Sequence, residues 1–82
     1  MKNKLINLIS EVTNKNLHLK DISKNFDLIN DFGIDSIQMI NLLLKIEDDF
    51  DIRLDYNNLK YDDIRSINNL LLLIQKSQNL KQ

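Results

Sequence analysis

The side chain best placed to carry chemistry in this sequence is the hydroxyl of Ser36. It closes the stretch Asp31-Phe32-Gly33-Ile34-Asp35-Ser36 and opens a run of helical periodicity that reaches Phe50. Gly33, the single glycine of the chain, stands three residues before it. A sharp turn is therefore expected to deliver one hydroxyl to the mouth of a helix. There a serine oxygen can accept a bond from an orphan first-turn N–H, so Ser36 is expected to act as the N-cap. A helix start also favours anions, through its free N–H groups and its dipole. A negative charge held at Ser36 would sit in a favourable field, with the Asp35 charge beside it working locally in the other direction.

Other chemistries find less support. His18 is the only histidine and there is no cysteine. That excludes disulfides, zinc thiolate sites and a cysteine nucleophile, and leaves no basis for a Ser–His pair. Asp48, Asp49, Asp51 and Asp55 lack the glycine that an EF-hand loop needs at its sixth position, and they read as a solvated acidic helix end. No base or metal site accompanies Ser36, so catalysis by the chain itself is not expected.

The elements that must position Ser36 are helical. The chain has 82 residues, 43% of them hydrophobic, and no proline. That is enough for one small domain, 1–82, with a modest core and stability on the order of a few kcal/mol. Leu5, Leu8, Ile9 and Val12 have the i, i+3, i+4, i+7 spacing of a buried helix face, predicting a first helix at 3–15. From Asn16 to Asp35 the periodicity fades, yet Leu17, Leu19, Ile22, Phe26, Leu28, Ile29, Phe32 and Ile34 persist as apolar anchors. A loop this long in a compact domain usually has a task, and this one is expected to be pinned across the bundle. A second helix is predicted at 36–50. Asp55 is expected to cap a short third helix at 56–61, and Ser66 a fourth at 67–77 with Ile67, Leu70, Leu71 and Ile74 facing inward. The fold class is all-α: a small four-helix bundle of three long helices and one short one, with a long loop between the first two.

Charge is unevenly spread. Residues 1–26 carry five lysines against Glu11 and Asp21, a net +3; residues 27–63 carry ten acids against Lys45, Arg53 and Lys60, a net −7. The acidic middle surrounds Ser36 and argues for basic partners there. Because the second helix ends acidic, nucleic-acid binding is not expected. No apolar run approaches a membrane span, and the first ten residues read as an amphipathic helix start, not a signal peptide. A cytoplasmic monomer is the expectation.

Advancing about 100° per residue from Ser36 puts Met39, Leu42, Leu43, Ile46 and Phe50 on one arc, the core face. Ile37, Ile40 and Leu44 fall on a second arc nearer Ser36. One apolar arc suffices for a bundle helix. The second either buries against the third helix or forms an exposed patch for partners.

The words Asp-Phe-Gly-Ile-Asp-Ser-Ile closely resemble the attachment motif of acyl carrier proteins, Asp-Leu-Gly-x-Asp-Ser-Leu. The resemblance continues through Leu42, Leu43, Ile46, Glu47, Asp48, Asp49 and Phe50, and covers roughly Phe26 to Ile74. It implies that Ser36 carries 4′-phosphopantetheine taken from coenzyme A, whose thiol holds the acyl cargo as a thioester. It implies a phosphopantetheinyl transferase, which reads Asp35 beside the serine, and acyl-loading and acyl-processing enzymes as partners. Ile37, Ile40, Leu44, Glu47 and Asp48 would join Asp35 in partner recognition. The implied function is a freestanding carrier, without catalytic activity, for fatty-acid, polyketide or related biosynthesis. A peptidyl or aminoacyl carrier (including D-alanyl) and a helical interaction module lacking the cofactor are the alternatives. The exposed face of the second helix departs from fatty-acid carriers, with Gln38, Asn41 and Lys45 where acids are usual. That favours a dedicated pathway carrier and a larger share for apolar contact in partner binding.

Overall fold

The computed structural model describes residues 1–23 and 25–80. Among them are four helices and no strand: α1 at Lys2–Thr13, α2 at Ser36–Phe50, α3 at Tyr61–Arg65 and α4 at Ile67–Leu80. A single 3₁₀ turn at Leu19–Asp21 interrupts the first loop. The radius of gyration is 11.9 Å, close to the ~12 Å expected of a compact domain this size.

The stops of α1 and α2 follow from local chemistry. Asn14 and Asp51 adopt left-handed backbone conformations, with φ of 55° and 54°, which short polar side chains tolerate better than most. Each returns its N–H to a carbonyl of the last turn, Glu11 for Asn14 and Glu47 for Asp51. The two helices run antiparallel. Lys4, near the start of α1, donates to the Asp49 carbonyl at 2.6 Å and lies over the Phe50 ring at 4.9 Å. A cation at the end of α2 meets both its orphan carbonyls and its negative dipole end.

The core is drawn from every part of the chain except α3. Leu5, Ile6, Leu8 and Ile9 come from α1, Met39, Leu42, Leu43 and Ile46 from α2, and Ile67, Leu70 and Ile74 from α4. The loops add Leu17, Leu28, Ile34, Ile52 and Leu54. Val12, Phe50 and Leu71, expected inside, are half-buried, and Ile6 is buried though it lies off the expected stripe. A helix wedged between loop and bundle buries a wider arc than one packed against a single neighbour. The 3₁₀ turn leaves Leu19 exposed, the exception among the expected loop anchors described here.

The third helix is not where the sequence reading puts it. Asp55 does not cap a helix at 56–61. Its carboxylate accepts from the Asn57 N–H and the Asn58 side-chain amide, closing a turn. Consecutive asparagines favour that turn over a helix. The helix begins at Tyr61, where Asp62 and Asp63 occupy the first turn and the Asp63 carboxylate accepts from the Lys60 N–H at 3.0 Å. Those acids complement the positive end of the helix. Ser66 does cap α4, its hydroxyl accepting from Asn69 N–H at 3.3 Å.

Glu47 fastens the second loop to α2. One carboxylate oxygen accepts from the Leu54 N–H at 3.0 Å and the other from the Tyr56 hydroxyl at 2.7 Å. Desolvation, helped by the bond and the charge of Glu47, pushes the Tyr56 phenol up to about 12. An unfolded tyrosine titrates near 10, so the folded state holds this proton more tightly. The stability it contributes is whole below about pH 10 and is lost as pH rises towards 12. The wild-type melting temperature should therefore fall more steeply across that window than that of Tyr56→Phe. Equal slopes would dissociate the Tyr56 proton from stability.

Candidate functional site

The segment before α2 is built around Asp27. One of its carboxylate oxygens accepts from the N–H groups of Ile29 and Asn30, at 2.8 and 3.0 Å, and the other from the Asn30 side-chain amide at 3.0 Å. Such Asx turns are what aspartate offers a chain that leaves regular structure. Asp31 returns the favour, its carboxylate accepting from the Asp27 N–H at 2.9 Å. The Asp27 carbonyl accepts from Asp31 and Phe32 N–H groups. The chain is thus folded back on itself within six residues.

That knot is attached to the body at Leu28. Its side chain is fully buried, its N–H donates to the Arg65 carbonyl at 2.8 Å, and its carbonyl accepts from the Ile34 N–H at 3.0 Å. Ile34 is buried in turn. Between them Gly33 has a φ of +79°, a conformation in which a side chain would be strained. The chain therefore reaches Asp35 with its direction set by two buried anchors and one left-handed glycine.

Asp35, not Ser36, is the N-cap of α2. This corrects the expectation from sequence. The Asp35 carboxylate accepts from the Gln38 N–H at 2.7 Å, and the Gln38 side-chain oxygen accepts from the Asp35 N–H at 3.1 Å. A carboxylate outcompetes a hydroxyl at this place because the bond is charge-assisted and the anion meets the helix dipole. The reciprocal box satisfies two of the four N–H groups that a helix start leaves without an intrahelical acceptor. Those of Ser36 and Ile37 remain. Ser36 becomes the first residue of the helix, exposed and outside the cap.

The second apolar arc of α2 is exposed. Ile37, Ile40 and Leu44 have relative exposures of 72%, 57% and 50%, whereas Met39, Leu42, Leu43 and Ile46 on the other arc are buried. With Ser36, the three exposed residues span about 100° of one side of the helix. Asp48 is exposed further along. Glu47, read from sequence as a recognition residue, is half-buried with both oxygens engaged inside the molecule. Lys45 lies 3.9 Å from Glu11, an exposed pair that contributes little. No group of three or more histidine, cysteine, aspartate or glutamate side chains suited to a metal ion occurs among the described residues, and no helix there is long and apolar enough to cross a membrane.

Asp27 and Gln38 carry structural roles at this site that the sequence reading passed over. The run Asp27-Leu28-Ile29-Asn30-Asp31 has the composition of an Asx turn and could have been found by it. So could Asp35-x-x-Gln38 as a capping box.

The bonds from the Asn30 backbone, foremost, with those from Ile29 and the Asn30 side chain and the nearby Arg65 guanidinium, outweigh desolvation and hold the Asp27 carboxyl below the usual aspartate value. A group depressed on folding contributes stability above its unfolded pKa, near 3.9, and loses it as pH falls through the folded value. Acidification below about pH 4 should therefore loosen the 27–34 knot, seen as faster amide exchange at Asn30 and Phe32. In Asp27→Asn that acid-dependent step should vanish. An unchanged step would place its origin in another carboxylate.

The family described as "Phosphopantetheine attachment site" matches residues 3–74. A relative named "Aminoacyl carrier protein 1", from Bradyrhizobium diazoefficiens, is 26% identical over 70 residues, covering 85% of this chain and 77% of that protein. No solved structure matches.

Proposed function

The chain belongs to the phosphopantetheine attachment-site family, and on that premise we propose that it is an acyl carrier whose cofactor is bound through Ser36. The cofactor of the family is 4′-phosphopantetheine. The arm supplies a flexible thiol that holds cargo as a thioester and carries it between enzymes. The residues present suit that group. Ser36 offers an exposed hydroxyl at the start of a fifteen-residue helix. The two N–H groups the capping box leaves over, with the helix dipole, favour the phosphodiester negative charge there. This arrangement of an uncapping, exposed serine beside a carboxylate cap is the observation that carries the proposal.

Ser23 is exposed too, but it lies in the first loop, outside any helix; the other three serines present their hydroxyls less well. Ser10 accepts from the Leu17 N–H at 3.0 Å, Ser66 caps α4, and Ser77 is half-buried inside α4. Incubation with coenzyme A and a phosphopantetheinyl transferase should add one phosphopantetheinyl unit by intact mass, and none to Ser36→Ala. Since Ser36 is not the cap, that variant should keep its fold with a change under about 0.5 kcal/mol, as for surface substitutions generally. Modification of the Ala variant, or of Ser10, Ser23, Ser66 or Ser77, would overturn the assignment.

Asp35, Ile37, Ile40, Leu44 and Asp48 form the surface by which partner enzymes approach the arm in this reading. Glu47 supports that surface from within by tying the second loop to α2. Aminoacyl cargo is a second reading, favoured by the name of the relative over other acyl classes. A mass measurement on protein purified from its native host, with cargo still attached, separates the two. Ile40→Asp should slow loading by partner enzymes while leaving the helical circular dichroism and melting temperature nearly unchanged. Leu43→Asp should unfold the domain, because it buries an unpaired charge. A large drop in melting temperature for Ile40→Asp would mean that residue supports the fold and not the approach of partners.

A further inference from the structure

Lys15 stands at the far end of α1 in sequence, yet it touches the turn that delivers Ser36. Its ammonium donates to the Phe32 carbonyl at 3.0 Å and lies over the Phe32 ring, 5.4 Å from the centroid. A Cβ placed on Gly33 would come within 3.4 Å of the same nitrogen. One hydrogen bond to the peptide joining Phe32 to Gly33 and one contact with the adjoining ring therefore tie the ammonium to this turn, close beside Gly33. The lysine is itself held from both sides. Asn14 ends α1 in a left-handed conformation, and two residues after Lys15 the Leu17 N–H donates to Ser10 while its side chain is buried. The base of the side chain is thus fixed before its long stem reaches out.

The Phe32–Gly33 peptide lies inside the turn closed by the Leu28–Ile34 bond and before the Asp35 cap, and its own hydrogen bond is the one from Lys15. Glycine at +79° is conformationally permissive, so this peptide could turn over while its neighbours stay in place. A charged donor on the Phe32 carbonyl selects one orientation, and the ring contact adds to the selection.

We propose that Lys15 is a positioning residue for the phosphopantetheinylation of Ser36, holding the Phe32–Gly33 peptide in the orientation that presents the hydroxyl to the transferase. The proposal rests on the carrier reading given above. Without the ammonium, a smaller fraction of molecules is competent at any moment, and apparent affinity falls by that fraction. The effect belongs to KM for this chain and not to kcat, because a molecule once engaged reacts as before.

The test uses a phosphopantetheinyl transferase and coenzyme A with the wild type, Lys15→Met, Lys15→Gln, Lys15→Arg and Lys20→Met. Lys15→Met and Lys15→Gln should each raise KM by about threefold to tenfold, with kcat within about twofold. Lys15→Arg keeps the charge and the donor and should rescue KM. Lys20→Met removes an exposed charge from the same loop and should leave KM unchanged, separating the contact from net charge. Equal loss in the Arg and Met variants, or an unchanged KM in Lys15→Met, would overturn the proposal. A second readout needs no cofactor. Because the chain has one glycine, selective labelling isolates the Gly33 amide resonance. That resonance should move or split in Lys15→Met and stay near its wild-type place in Lys15→Arg. A Gly33 resonance indifferent to Lys15→Met would also overturn the proposal. Failure of the wild type to accept the cofactor would instead defeat the carrier reading and leave the Gly33 measurement to decide the contact alone.

Discussion

The backbone of Leu28 is the point on which the structure turns. Its N–H is spent on the Arg65 carbonyl at the end of α3, and its carbonyl on the Ile34 N–H two residues before α2. A buried peptide with either bond missing would suffer the desolvation cost of an unpaired polar group. The side chain, fully buried among the helices, makes the position hard to vacate. One residue therefore joins the third helix, the first loop and the approach to the second helix. The Asp27 turn, the Gly33 conformation and the Asp35 cap all take their places relative to it.

Charge is used in two ways in the acidic middle of the chain. Asp27, Asp35, Glu47, Asp55 and Asp63 spend their oxygens on N–H and O–H groups of the chain itself. They are structural acids, substituting for backbone acceptors where helices begin or loops turn. Counting acids in the sequence overstates how much negative charge is presented for partners, since a carboxylate bound to its own backbone has less freedom to bind elsewhere. On α2 the outward surface near Ser36 is therefore more apolar than its neighbourhood in sequence suggests.

Much of this was legible beforehand. The α2 limits, Ser36–Phe50, follow from periodicity together with the glycine turn, and the buried and exposed arcs of that helix were separable by a rotation of 100° per residue. The family resemblance names Ser36, the residue with which that helix begins. The misreadings share a cause: side chains that bond locally compete with one another for the same backbone groups. Asp35 and Ser36 are both good caps, and only geometry decides between adjacent candidates. Asp55 and Asp63 are both plausible openers for a short helix, and α3, with five residues and no buried side chain, has too weak a periodic signal to choose. The Lys15 contact spans 17 residues and leaves no trace in local pattern at all.

The thinness of α3 has a consequence for the time the molecule spends closed. A helix of five residues with no fully buried side chain, its apolar anchor Ile64 only partly buried against the core, cannot sustain itself by propensity, and elements with few apolar contacts open at low free energy while the rest of a domain stays intact. Its amides belong among the fastest to exchange with solvent. Its last carbonyl, on Arg65, is the acceptor for Leu28, so fluctuation at this end of the molecule is felt in the segment leading to Ser36. The Asp35 cap is closed within residues 35–38 and does not use the Arg65 carbonyl. The serine can thus stay in register while the wall beside its loop breathes.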